Sequence, residues 1–319
     1  MNGLTGRLHP ESEVFFGTYE TAPIASRSAL WRMKALLNVR TMLPSDLPFA
    51  DSLRELAGWN QTLADWGRFL TMQPRGCFLA QWDGARAGTA TTMVYGSDLA
   101  WIGMVLVHPE YRRRGIGRAL LLKCIEHLQA RRVRCVKLDA TPQGRPVYEN
   151  LGFKDEWTLS RWEAELSVLA PDAPDSHIRP WEEGDALRLD PHDARAFGAS
   201  RHELISALAR ESRCALTYES QPDVPTGCGL LRPGAQASYL GPVSATSPRH
   251  GIALIEALTA QGGGGRMFWD IPDINAAAVG WAERHGFRVQ RRLTRMWLGD
   301  NCRAGNPLHQ FALAGPELG

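Results

Sequence analysis

Residues 101–118, Trp-Ile-Gly-Met-Val-Leu-Val-His-Pro-Glu-Tyr-Arg-Arg-Arg-Gly-Ile-Gly-Arg, constrain the fold more than any other stretch of the chain. An apolar strand runs into a basic turn holding Gly115 and Gly117. An apolar-periodic helix follows at once through Ala119, Leu120, Leu121, Cys124, Ile125 and Leu128. The first N–H groups of a helix have no partner within it, and the helix dipole adds partial positive charge at the same place. Arg112, Arg113, Arg114 and Arg118 contribute full charges, and the glycines leave no side chain to hold a ligand off the backbone. Such a turn is a cradle for a pyrophosphate or similar anion. Two common cradles are excluded by spacing: no Gly-Lys-Ser/Thr end is present, and Leu120 stands where a dinucleotide turn needs its third glycine.

The run Arg112-x-x-Gly115-x-Gly117, preceded by Val105-Leu106-Val107, His108-Pro109 and Tyr111, resembles the coenzyme A loop of the GNAT N-acetyltransferase superfamily. Residues 148–153, Tyr-Glu-Asn-Leu-Gly-Phe, resemble the Tyr-x-x-x-Gly-Phe ending of the next helix in that superfamily. The resemblance covers residues 37–167 well and 177–299 weakly. It implies an α/β (α+β) fold of two tandem GNAT-like domains, each a mixed, mostly antiparallel twisted sheet flanked by helices. It also implies acetyl-CoA as co-substrate, without a metal. Pantetheine would pair with the strand edge at Val105, Leu106 and Val107, where an N–H polarises the thioester carbonyl. Arg112, Arg113, Arg114, Gly115, Ile116, Gly117 and Arg118 would hold the pyrophosphate. Tyr148 would protonate the departing thiolate, a role open to a phenol because its ordinary pKa of about 10 keeps it protonated at neutral pH. The superfamily often has an asparagine twelve residues before the Gly-Phe phenylalanine. Here that position is Thr141, whose hydroxyl can still donate a hydrogen bond.

A chain of 319 residues accommodates two domains of about 150 residues. A net charge of +2 argues against a dedicated nucleic-acid binder. Six cysteines (77, 124, 135, 214, 228, 302) show no Cys-x-x-Cys pair and several sit in apolar runs, so reduced thiols in a cytoplasmic protein are expected. No run reaches the ~18 apolar residues of a membrane span, and Glu11, Glu13 and Glu20 leave no credible signal peptide. The histidines show no metal-ligand spacing. The expected partner is a small-molecule amine, with no nucleic acid and no membrane, on a monomer or homodimer.

The pattern occurs twice. Ile178-Arg179 echoes Val39-Arg40; Phe197 to Glu203 echoes Trp59 to Asp65, including a capping box; Glu283 to Phe287 echoes Glu149 to Phe153. The offsets of 139, 138 and 134 residues are those of a tandem duplication. The expected organisation is an extension over 1–36 (a disordered leader or an over-extended start), a catalytic domain over 37–168, a linker over 169–176, a degenerate copy over 177–300 and a tail over 301–319. In that copy Pro248 stands for Arg112, Ala253 for Gly117 and Ala282 for Tyr148, so coenzyme chemistry is expected to be lost, although Asn275 is kept at the asparagine position.

Acceptor recognition is assigned to the connection between the first two helices, Trp59-Asn60-Gln61. Trp66, Trp101, Trp269 and Trp281 read as core. A general base is not evident: strand 101–107 carries no carboxylate, and Asp139 falls on the opposite face from Val136, with a strand-ending bond to backbone as its expected role. Water is then the expected proton carrier. Acetylation of a protein N-terminus or lysine, and a non-catalytic acyl-CoA sensor or scaffold, are the alternatives.

Overall fold

A computed structural model describes residues 36–167 and 175–319; the expected extension up to residue 35 and most of the expected linker lie outside the described residues. The first half runs β1 (Leu37–Thr41), α1 (Leu47–Leu56), α2 (Leu63–Met72), β2 (Cys77–Trp82), β3 (Ala85–Tyr95), β4 (Leu99–Val107), α3 (Ile116–Ala130), β5 (Cys135–Ala140), α4 (Arg145–Glu149) and β6 (Lys154–Leu166). The second repeats it as β7 (Ile178–Pro180), α5 (Asp185–Phe197), α6 (His202–Glu211), β8 (Cys214–Gln221), β9 (Val224–Arg232), β10 (Ser238–Ala245), α7 (Pro248–Gln261), β11 (Gly265–Pro272), α8 (Ala276–Arg284) and β12 (Arg288–Gly299). A short β13 (Gln310–Ala312) follows.

The duplication is visible in side-chain detail. Arg40 holds the buried Asp46 through two bonds of 2.7 and 2.9 Å, and Asp46 accepts from the Leu43 N–H. Arg179 holds Asp185 through bonds of 2.8 and 2.9 Å, and Asp185 accepts from the Glu182 N–H. At α2 the expected capping box is present, with the Thr62 N–H donating to Asp65 at 2.7 Å. Its expected twin at α6 is not. Arg201 occupies that position and its side chain does not cap the helix, while Ser200 donates to Asp190 on α5.

The halves do not form two separate sheets. The strands run β1-β2-β3-β4-β5-β12-β6-β11-β10-β9-β8-β7 in one sheet. β12 therefore pairs with β5 of the first half, and β6 pairs with β11 of the second. The two exchanged strands also pair with each other, antiparallel, at the centre. Each half is completed by a strand from the other, so the boundary expected near residue 168 is not a boundary of the sheet.

The cores follow the same logic. Beneath α3, Ile116, Leu120, Leu121 and Cys124 pack on Val136, Leu138 and Met296, the last from β12. On the opposite face Trp66, Phe69, Met104 and Leu106 share one core with Phe197, Leu204, Leu208 and Leu318. Side chains from both halves thus leave water together, at about 25 cal/mol per Å² of apolar surface. The expected core tryptophans Trp66, Trp101, Trp269 and Trp281 are all buried.

Candidate active site

Strand β4 begins beside β5 in parallel register, Leu99 to Trp101 against Cys135 to Lys137. Beyond Trp101 the two strands part. A bulge in β4 marks the place: Thr91 faces Gly103 and Thr89 faces Leu106, so β4 has an extra residue, and Met104 takes a φ of 51°. The buried Thr89 hydroxyl donates to the Met104 carbonyl at 3.0 Å and pins the bulge. Among the described residues no strand covers the β5-facing edge of Met104 to Val107, which leaves a wedge open between β4 and β5.

The basic turn closes one end of this wedge. Gly115 is the N-cap of α3 with a φ of 77°, and among the described residues no side chain caps this helix start. Arg113 also has a positive φ, 60°, so this turn points successive N–H groups outward. Arg112, Arg113, Arg114 and Arg118 are exposed. Arg112 is steadied by a 3.2 Å bond from its Nε to the Val107 carbonyl, and Arg114 lies over the rings of Trp82 and Tyr111. Ile116 is buried and anchors the helix start. At Gly117 an added methyl would meet only Val107, at 3.7 Å, so the space above the backbone is open.

Tyr148 and Thr141 stand across the wedge on the β5 side. Both hydroxyls flank Gly144, where a methyl would lie 3.3 Å from Thr141 Oγ1 and 3.4 Å from the Tyr148 oxygen. Thr141 Oγ1 accepts from the Gly144 N–H, and its own proton is left to donate elsewhere. Burial pushes the Tyr148 phenol up to about 12, with Cys124 nearby.

The second half shows what happens when the same wedge is filled. β10 pairs with β11 only over Ser238 to Leu240, and beyond that β13 occupies the edge, with Val243 against Ala312 and Ser244 against Gln310. Trp269 donates to the Phe311 carbonyl, Leu313 donates to the Asp270 carbonyl, and Asn275 donates to the Gln310 carbonyl. The retained asparagine therefore grips the protein's own chain. Ser247 caps α7, Pro248 has no N–H to offer, and Gly251 lies inside the helix, with Phe311 where its side chain would be. No glycine turn forms at this helix start.

Three regions read from the sequence have more partners in the structure than the sequence suggested, and one expectation needs correction. Asn60 lines the cavity described below, and much of its amide is held by the protein itself. Its amide accepts from the N–H groups of Gln236 and Ala237 and donates to the Ala237 carbonyl, tying α1–α2 to the second half. Asp139 does not end its strand with a backbone bond. It faces Arg295 of β12 through bonds of 2.8 and 2.9 Å. The stretch expected as a tail, 301–319, ends packed on the first half: Tyr95 donates to the Leu318 carbonyl, Trp101 to that of Pro316, and Gln61 to the Glu317 carboxylate at 2.7 Å. Trp59 packs against the core that Trp66 and Phe69 share with Phe197 and Leu204. Of the three residues assigned to the acceptor, Asn60 and Gln61 line a cavity, together with Asp65, Arg161, Arg232, Pro233, Tyr239 and Glu317. Glu317 carried no sequence signal, because its only neighbours along the chain are small or apolar residues.

Two family models match in tandem, Acetyltransferase (GNAT) family over residues 40–153 and Acetyltransferase (GNAT) domain over 189–312. An uncharacterized N-acetyltransferase of Bacillus subtilis, YitH, is 30% identical over 174 residues, 54% of this chain and 61% of that one. A mycothiol acetyltransferase of Thermomonospora curvata is 36% identical over 83 residues, 25% of this chain and 28% of that one. The matches thus span less than two thirds of these relatives. A protein of Pyrococcus horikoshii shares the fold, with a TM-score of 0.75 at 22% identity, over 96% of this chain and 100% of that one.

Proposed function

Because the chain belongs to the GNAT acetyltransferase family, we propose that its first half moves an acetyl group from acetyl-CoA to a primary amine of a small molecule. The observation that carries this reading is the contrast between the wedges: open and flanked by a glycine turn in the first half, filled by β13 in the second. Pantetheine would lie along Val105, Leu106 and Val107 as an added strand, with its pyrophosphate on the amides of Gly115, Ile116 and Gly117 and on the four arginines. Thr141 would donate to the coenzyme. The amine attacks the thioester carbon directly, an adduct forms with its oxyanion on a β4 amide, and Tyr148 protonates the leaving sulfur. Holding both reactants in one cleft supplies much of the rate.

A small acceptor is favoured over a protein because α5, α6 and residues 313–319 pack over the side of the sheet from which an amine would approach β4. One relative is named mycothiol acetyltransferase, which supports a small-molecule acceptor here. The test is a thiol-release assay with acetyl-CoA against amino acids, polyamines, aminoglycosides and amino sugars, run beside mass spectrometry of peptides offered as acceptors. Release with a small amine and none with peptides is expected. The reverse result overturns the small-molecule reading.

A further inference from the structure

Among the described residues, six acidic residues are almost wholly out of water: Asp46, Asp65, Asp185, Asp193, Asp270 and Glu317. Five of them have an arginine within 3 Å: Arg40, Arg68, Arg179, Arg201 and Arg161, in that order. Glu317 has no ion pair among the described residues. Its one side-chain partner is the Gln61 amide. An unpaired carboxylate in a protein interior is costly and needs a reason.

Its position suggests one. Segment 313–319 leaves β11 at Leu313 and crosses to the first half, where it lies directly on β4. A methyl on Gly103 would sit 2.8 Å from both Glu317 Cα and Cβ. Gly103 immediately precedes the Met104 bulge, so Glu317 stands beside the point where β4 opens. The cavity it shares with Gln61, Asp65, Arg161, Arg232 and Tyr239 measures about 20 Å³, room for roughly one water or one amine nitrogen.

Resting on the acetyltransferase reading, we propose that Glu317, carried into the first half's cleft by the end of the second half, takes the proton that the acceptor's ammonium group must lose before it attacks. Of the three ammonium protons, one passes to the Glu317 carboxylate and leaves to water through the cavity mouth. The freed lone pair forms the N–C bond with the thioester carbon. As the adduct collapses the C–S bond breaks, its sulfur takes the Tyr148 hydroxyl proton, and a second N–H proton is shed to restore the balance through solvent. The third stays on the amide.

The neighbours suit a base. Burial raises the Glu317 pKa, the charge of Asp65 adds to this, and Arg232 and Arg161 oppose it. Tyr95, Tyr239 and Arg291 also lie within its field. The other carboxylate in the cavity, Asp65, accepts from Thr62 and Arg68 and is held below the ordinary range against its own burial, so it is poorly placed to accept a proton. This also gives the second half a part in the chemistry that a lost coenzyme site does not.

The test uses the full chain and the amine that the wild type acetylates best. With Glu317→Gln, kcat should fall about 10²- to 10⁴-fold, while calorimetric binding of acetyl-CoA stays within two-fold. In the wild type, the ascending limb of kcat/KM that stays in place when the amine is exchanged for one of different pKa should vanish in the variant. An active wild type whose Glu317→Gln twin keeps both kcat and that limb overturns the inference alone. A wild type that releases thiol with no amine overturns the acetyltransferase reading and this inference with it. Should Glu317→Gln fail to fold, Gln61→Met removes the donor that favours the charged carboxylate and should move the same limb to higher pH; an unmoved limb overturns the inference.

Discussion

Arg295, on the last long strand of the second half, donates two hydrogen bonds to Asp139 on β5 of the first, at 2.8 and 2.9 Å. Its guanidinium also lies 4.3 Å from the Trp101 ring centre and 4.1 Å from that of Trp157. The exchange is mirrored by Arg161 of β6, which holds Asp270 of β11 at 2.8 and 2.5 Å. Each exchanged strand thus brings an arginine to a buried aspartate of the other half.

These pairs specify the exchange more than they stabilise it, since two charges taken out of water give back much of what their attraction gains. Removing one partner is a different matter. Arg295→Met should leave Asp139 buried without a cation and cost about 3–5 kcal/mol in chemical denaturation. Arg295→Met with Asp139→Leu should recover most of the loss. A single variant as stable as the parent would show that the pair is solvated.

Asn60 should behave as a joint rather than a substrate contact. Asn60→Ala leaves the buried Ala237 N–H without its acceptor and the Ala237 carbonyl without its donor. The expected cost is about 1–3 kcal/mol for each unsatisfied group, read as a lower denaturation midpoint. The KM for the acceptor should change by less than about two-fold if the stability loss of this size leaves the fold intact. A large rise in KM with unchanged stability would return Asn60 to the acceptor site.

What the sequence made legible is what is local. The turn at Gly115 declares itself because strand, glycines and the helix start follow one another within eighteen residues, and Val39-Arg40 returns as Ile178-Arg179 at an offset of 139. The strand exchange left no such mark. β6 and β12 have the same pattern whichever half they join, because alternation fixes which face is buried and not which neighbour is paired. Gln310 to Glu317 read as a tail for a similar reason. A short segment gains its order from the wedge of β10 and the face of β4, and neither is visible along the chain.

The cradle should be sensitive to backbone shape more than to any one charge. Gly115→Val places a β-branched residue at a φ of 77°, a left-handed position that costs an L-residue roughly 1–2 kcal/mol before any ligand is bound. Acetyl-CoA affinity should fall at least ten-fold. Arg113→Ala should have a smaller effect that fades as salt is raised, because its charge is exposed and screened. Calorimetry at two ionic strengths separates the two. Equal losses in both variants at both salts would argue against binding through main-chain amides.

Tyr148 supplies the sharpest pH expectation. A general acid must enter the reaction protonated, and burial pushes this phenol up to about 12. Its folded pKa lies above the ordinary value of about 10, so it remains a usable acid across any pH at which the protein is assayed. No descending limb below about pH 10 should therefore belong to it. Tyr148→Phe should lower kcat by about 10²-fold or more, leave acetyl-CoA binding nearly unchanged and keep the shape of the pH profile. A descending limb that disappears in the variant would mean that the phenol is solvated and titrates in the working range. Equal losses of binding and turnover would mean that the ring packs against the coenzyme without giving it a proton.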